Sequence, residues 1–106
     1  MSSFKDREKA FESKFAHDQE LKFKATARRN KLLGQWAADQ MGLSGDDAQA
    51  YVSEVIRSDL EEPGDEDLFR KIWNDFQAKA VDQSEHQVRR QIQDLMEEAI
   101  SQVEQS

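Results

Sequence analysis

Apolar residues recur through most of the chain at the three- and four-residue spacing of a helix face. Ala48, Tyr51, Val52, Val55, Ile56 and Leu60 form one stripe; Leu68, Phe69, Ile72, Trp73, Phe76 and Ala80 form a second; Val88, Ile92, Leu95, Met96, Ala99 and Val103 form a third. Each follows a start signal. Ser44 with Asp47, and Ser84 with Gln87, have the capping-box spacing. Asp65 is a candidate N-cap with Glu66 and Asp67 in its first turn, and Pro63-Gly64 marks the turn before it. The pattern predicts helices from Ser44 to about Leu60, from Asp65 to about Ala80, and from Ser84 almost to the C-terminus.

The first 41 residues also have helical character, with no proline and no turn dipeptide between Phe4 and Met41. At ~1.5 Å per residue such a helix is ~55 Å long, more than helices of ordinary length can cover. The apolar residues on it change face. Phe4, Phe11 and Phe15 fall within ~40° of one another, whereas Leu21, Ala25, Leu32 and Trp36 cluster ~70° away, joined by Leu33, Ala37 and Met41. This predicts a bundle helix over about residues 19–41 and a separate, marginal helix over 1–18. The expected fold is therefore all-α: a four-helix bundle over 19–106 with an N-terminal helical or partly disordered extension over 1–18. Gly34, inside the bundle helix, is expected to serve close helix packing, because glycine costs about 1 kcal/mol there relative to alanine.

Composition agrees with a helical reading. The 106 residues suit one domain, and 37% hydrophobic against 35% charged residues leaves room for only a small core. With one proline and four glycines the chain has few breaks. The absence of cysteine removes disulfides, thiolate metal sites and cysteine nucleophiles. No secretory signal and no run of ~18 apolar residues is present, so a cytoplasmic chain without membrane insertion is expected. Its acidic surface and short helices suit a monomer when free.

The net charge of -7 is unevenly divided. Residues 1–31 hold nine basic and five acidic side chains, a balance of +4, which leaves -11 for the remainder. Two parts facing different partners, or each other, fit this division. The cluster Arg28-Arg29-Asn30-Lys31 could touch phosphate, but so acidic a remainder repels a nucleic-acid backbone, and no nucleic-acid partner is expected.

Chemistry is not favoured elsewhere. Neither His17 nor His86 has the Glu-x-x-His spacing of a di-iron bundle, and Asp82 with His86 offers only two ligands at i, i+4. The stretch from Asp59 has Gly64 at the sixth position of a calcium loop but Pro63 at the fifth and Arg70 at the twelfth. Glycines at 34, 42, 45 and 64 form no phosphate loop, and there is no Gly-x-Ser-x-Gly elbow. No metal, cofactor or enzymatic activity is expected.

One longer pattern remains. Phe15-Ala16-His17-Asp18, Glu20-Leu21, Phe23-Lys24 and the run from Ala27 through Arg28-Arg29-Asn30-Lys31-Leu32-Leu33-Gly34-Gln35-Trp36 to Ala38 resemble the ζ-subunit family. These are small inhibitor subunits of the F-type ATP synthase of α-proteobacteria. The resemblance continues through Met41-Gly42-Leu43, Tyr51, Val55-Ile56, Asp59-Leu60-Glu61-Glu62 and Gly64-Asp65-Glu66-Asp67, nearly the whole chain. It implies a four-helix body and an N-terminal segment that blocks ATP hydrolysis by inserting into a catalytic interface of the head subunits. The partner-binding residues it implies here are Phe4, Arg7, Glu8, Lys9, Phe11, Glu12 and Phe15. A weaker implication is regulatory binding of ADP or ATP, for which Arg28, Arg29 and Trp36 could supply charge and stacking. The expected location is cytoplasmic, peripheral to the membrane when bound to the synthase. A general helical interaction module, or a nucleotide-sensing module without ATPase inhibition, is the alternative. His17, at the junction of the two parts, is a candidate for pH-dependent docking near its ordinary pKa of about 6.5.

Overall fold

The computed structural model describes the backbone of residues 3–59 and 65–105, and within them the side chains from residue 19 onward. These residues form four α-helices: α1 (Ser3–Gln40), α2 (Gly45–Ser58), α3 (Glu66–Ala78) and α4 (Glu85–Gln105). α1 packs against α2 and α4, and α3 closes the ring by packing on α2 and α4. The expected all-α bundle is the observed one.

The largest difference lies in α1. The apolar face changes near residue 19, but the backbone does not break there, and 38 residues form one helix. A change of phase moves the apolar stripe around the helix without costing any backbone hydrogen bond. The interior of Ser3–Gln40 also holds no proline, so nothing local interrupts it. At 1.5 Å per residue α1 is about 57 Å long, against about 21, 20 and 32 Å for α2, α3 and α4. No partner helix can run its full length, and the molecule measures 65 Å along its longest axis.

Two helices end in the same way. After α1 the Leu43 N–H donates to the Ala38 carbonyl at 2.9 Å and the Gly42 N–H to Asp39 at 3.1 Å, with Gly42 at φ 74°. After α3 the Val81 N–H donates to Phe76 at 2.9 Å and the Ala80 N–H to Gln77 at 3.3 Å. This pair of hydrogen bonds closes a helix through one left-handed residue, usually glycine. Here it is Ala80, at φ 54°. Ala80 is therefore an exposed turn residue, and the third-turn stripe of α3 stops at Phe76. α2 likewise stops at Ser58, whose hydroxyl donates to the Val55 carbonyl at 2.7 Å. Leu60 and Pro63-Gly64 lie outside the described residues.

The start signals are realised unequally. Ser84 and Gln87 form both bonds of the capping box, at 2.8 and 3.1 Å. Ser44 and Asp65 occupy the N-cap positions without a side-chain capping bond. The Asp65 carboxylate is directed to Arg29 instead.

The core joins Leu33, Ala37 and Ala38 of α1 to Tyr51 and Val55 of α2, Leu68, Ile72 and Phe76 of α3, and Val88 and Ile92 of α4. Full burial of each large aliphatic or aromatic side chain contributes roughly 1.5–3 kcal/mol. Gly34 does what its position suggested: a Cβ there would stand 3.0 Å from the Cα of Val52, so α1 and α2 approach backbone to backbone. A smaller cluster of Ala25, Ala99 and Val103 seats the end of α4 on α1. Ile56, expected inside, is 37% exposed.

Candidate functional site

Consecutive helical residues point ~100° apart, and this divides the Arg28-Arg29-Asn30-Lys31 run into two pairs. Arg29 and Asn30, four and three residues before Leu33, share its inward face and are buried. Arg28 and Lys31 point outward.

The inward pair forms a polar clamp. Arg29 Nε donates to Asn30 Oδ1 at 2.8 Å, and its Nη2 donates to Asp65 Oδ1 at 3.1 Å, with Asp59 Oδ1 at 3.9 Å. Asn30 Nδ2 in turn donates to Asp59 Oδ2 at 2.7 Å. Asp59 caps the end of α2 and Asp65 the start of α3. Two neighbouring residues of α1 thus hold both ends of the α2–α3 connection. Among the described residues of this clamp, Arg29 Nη1 is buried without a hydrogen-bond partner.

A second polar group ties α2 to α3. Tyr51 donates its hydroxyl proton to Asp75 Oδ2 at 2.8 Å, and Lys71 bridges Asp75 at 2.9 Å and Glu54 at 3.1 Å while lying over the Tyr51 ring. Burial first, then the hydrogen bond to Asp75, pushes the Tyr51 hydroxyl pKa well above its ordinary range. Burial works against the charge of Lys71, but its two carboxylate partners together hold its pKa above the usual lysine value. On α4, Arg89 reaches Glu66 at 2.8 and 3.4 Å and covers the face of Phe69 at 3.8 Å. The Arg89 hydrogen bond holds the Glu66 carboxyl below the ordinary carboxylate value.

The outward pair belongs to an open surface. Lys24, Ala27, Arg28, Lys31, Leu32 and Gln35 of α1, with Val103 of α4, line a shallow cleft of about 510 Å³. Arg28 Nη1 donates to the Gln102 side-chain carbonyl at 3.1 Å, and Lys24 pairs with Glu20 at 3.1 Å, both largely exposed. Phe23, one residue from Lys24, is 77% exposed.

Arg28, Arg29 and Trp36 therefore occupy three different surroundings. Arg28 is open, Arg29 is held by two carboxylates and Asn30, and Trp36 rests half-buried against Phe76 with ring centres 5.5 Å apart. Phe4, Arg7, Glu8, Lys9, Phe11, Glu12 and Phe15 fall on the first part of α1, and their side chains, like that of His17, lie outside the described residues. The Arg29–Asn30 clamp and the Tyr51–Asp75–Lys71 group escaped the sequence reading. The available signal was the phase of residues 29 and 30 relative to Leu33. Among the described residues no three His, Cys, Asp or Glu side chains are grouped to hold a metal ion, and no helix is long and apolar enough to cross a membrane.

The described residues form a small all-α bundle whose interior polar side chains mostly bind one another, with one overlong helix that carries the open Phe23, Arg28 and Lys31. The chain belongs to the ATPase inhibitor subunit zeta family, whose sequence profile matches residues 1–102. That match bears out the resemblance drawn from the Phe15–Ala38 pattern, and it gives the chain an ATPase-inhibitory role of a regulatory kind. A similar protein solved in solution by NMR shares 45% identity with a TM-score of 0.70, over 80% of this chain and 96% of that one. No curated protein matches the chain.

Proposed function

We infer that the protein inhibits ATP hydrolysis by an F-type ATP synthase by lodging residues 1–18, which include the first part of α1, in a catalytic interface of the head, while the bundle over 19–106 serves as its handle. The observation that carries this reading is the length of α1, 38 residues in one helix beside partners of 14, 13 and 21. An isolated helix of ~18 residues is marginal in water because its first turn must be nucleated at a factor of about 10⁻³. A segment that continues an existing helix avoids that step. Residues 19–40, packed on α2 and α4, present a ready template, worth about 4 kcal/mol on the nucleation factor alone.

In this arrangement Phe4, Phe11 and Phe15 fill an apolar groove, and Arg7, Glu8, Lys9 and Glu12 set the register through flanking charge. Inhibition is obstruction of a moving interface, so the wedge carries no catalytic group. The Arg29–Asn30 clamp anchors the shaft of α1 to the α2–α3 connection, which keeps the handle rigid against the load. The protein is then peripheral to the membrane, held there by the synthase, and monomeric when free. Regulation by ADP or ATP has its best support at Arg28, whose guanidinium is open; Arg29 is engaged with carboxylates and Trp36 with Phe76.

The test is ATP hydrolysis by the purified synthase head with the full chain and with Phe4→Ala/Phe11→Ala/Phe15→Ala. Loss of inhibition by the triple variant at unchanged thermal stability supports the wedge. Equal inhibition by both chains removes it, and no inhibition by either favours a general interaction module.

A further inference from the structure

Basic side chains on this protein are mostly matched by acids. Arg29 has Asp59 and Asp65, Arg70 has Asp67, Lys71 has Glu54 and Asp75, Arg89 has Glu66, and Arg90 has Asp94. Five described cations, Lys22, Arg28, Lys31, Arg57 and Lys79, lack a carboxylate partner among the described residues, and two of them, Arg28 and Lys31, stand three residues apart on the outer face of α1 beside Lys24, which pairs with Glu20. Arg28 is met only by the neutral amide of Gln102. Lys24, Arg28 and Lys31 are spaced i, i+4, i+7, which puts three cations within ~60° on one helix face. Like charges at these spacings repel one another. On a chain whose remaining part is strongly acidic, such a row is a cost that an acidic partner would relieve.

Between these cations runs the cleft floored by Ala27, Leu32 and Val103. From Lys24 to Gln35 it extends about 16 Å along α1, roughly three helical turns. Its length and apolar floor match the face of a docked helix better than a single phosphate group, which needs neither. The cleft lies on the same helix as the wedge.

We propose that the Lys24–Arg28–Lys31 face of α1 is a docking groove for an acidic amphipathic helix of the ATPase head, distinct from the interface that takes residues 1–18. The apolar side chains of that helix rest on Ala27, Leu32 and Val103, and its carboxylates replace Gln102 on Arg28 and meet the free ammonium of Lys31. The groove rests on the proposed inhibitory role only for the identity of the partner. Its contribution is to capture the head first by charge, raising the rate at which the wedge is presented.

The experiment compares three full-length chains on the purified head: the natural sequence, Arg28→Glu/Lys31→Glu, and Arg57→Glu/Lys79→Glu as a change of equal charge elsewhere on the surface. Association rates are measured at low and high salt, with melting curves to establish that each chain is folded. The groove predicts that Arg28→Glu/Lys31→Glu associates about tenfold more slowly at low salt and loses most of its salt dependence, whereas the control stays within about twofold. A photo-reactive p-benzoylphenylalanine in place of Ala27 should join the chain to a carboxylate-rich helical segment of the head.

Equal rates for the groove variant and the natural chain overturn the proposal, as does equal slowing in the control. An adduct to a neutral or basic segment, no adduct from a chain that still inhibits, or loss of the adduct on adding free ATP does the same, the last by identifying a phosphate site. If the natural chain binds and forms the expected adduct but does not inhibit, the groove stands and the inhibitory reading falls. If it inhibits and the groove variant associates equally fast, the reverse holds.

Discussion

Replacing Arg29 with alanine should cost the protein about 3 kcal/mol of stability, although the residue is charged and lies in a run of surface-like sequence. The pair with Asp65 adds little, at most about 1 kcal/mol, because Asp65 is 56% exposed. Asp59 is different, being only 12% exposed. Without Arg29 it loses the cation 3.9 Å away and keeps only the hydrogen bond from Asn30, while Asn30 Oδ1 loses its donor, a deficit of roughly 2 kcal/mol. The buried stem of Arg29 adds about 2 kcal/mol for the packing of its methylenes. Against these stands the relief of Nη1, which is buried unpaired and already costs the native state about 1–3 kcal/mol.

The balance corresponds to a melting temperature lower by roughly 12–24 °C for a domain of this size. Urea unfolding followed by far-ultraviolet circular dichroism reads it directly. Asp59→Ala and the double variant complete a cycle whose coupling should exceed about 1 kcal/mol, and Arg29→Met with Asp59→Asn should recover much of the loss by leaving no buried charge. A loss below about 1 kcal/mol for Arg29→Ala, or no coupling to Asp59, would refute the clamp as a stabilising element.

Three further outcomes follow from the geometry. Ala80→Gly should stabilise the protein by about 1 kcal/mol, since Ala80 holds φ 54° at an exposed helix end where glycine is unstrained; chemical denaturation measures it, and a destabilised variant counts against this reading of the turn. Gly34→Leu should destabilise by more than about 3 kcal/mol, because even its Cβ would meet the Val52 Cα at 3.0 Å, and a variant that melts like the natural chain would contradict the close α1–α2 approach. Tyr51 is the one tyrosine, so phenolate absorbance reports it alone. Its folded pKa is raised, so the stabilisation from the neutral phenol is complete below the unfolded value of about 10 and falls away as pH rises above it. Phenolate should appear together with loss of helix in an alkaline titration, and an ordinary titration near pH 10 with the helices intact would contradict the burial.

The architecture was largely readable because its signals are periodic. The α4 stripe from Val88 to Val103 and the Ser84–Gln87 box are realised as the spacing implies. The failures have identifiable causes. Ala80 fits the α3 apolar stripe by number, yet the chain turns left-handed there without the glycine that normally announces it. The phase change near residue 19 suggested a break that the backbone does not make, since amphipathic phase and helix continuity are independent. Arg29 and Asn30 were grouped by charge with Arg28 and Lys31, when their position one turn before Leu33 put them inside. The Tyr51–Asp75–Lys71 group joins residues of different helices, and no local pattern encodes that pairing. The partner-binding residues of the first 18 positions came from the family resemblance; three aromatics on one face were all that periodicity offered.

The central claim is that the first part of α1 acts on the ATPase and the bundle holds it. Its most direct test is ATP hydrolysis by the purified F-type ATPase from the same source, titrated with the full chain and with a chain beginning at Gln19. The account predicts saturable inhibition by the full chain and none by the shortened one, with both showing the helical spectrum of a folded bundle. Equal inhibition by a folded chain that begins at Gln19 would contradict it.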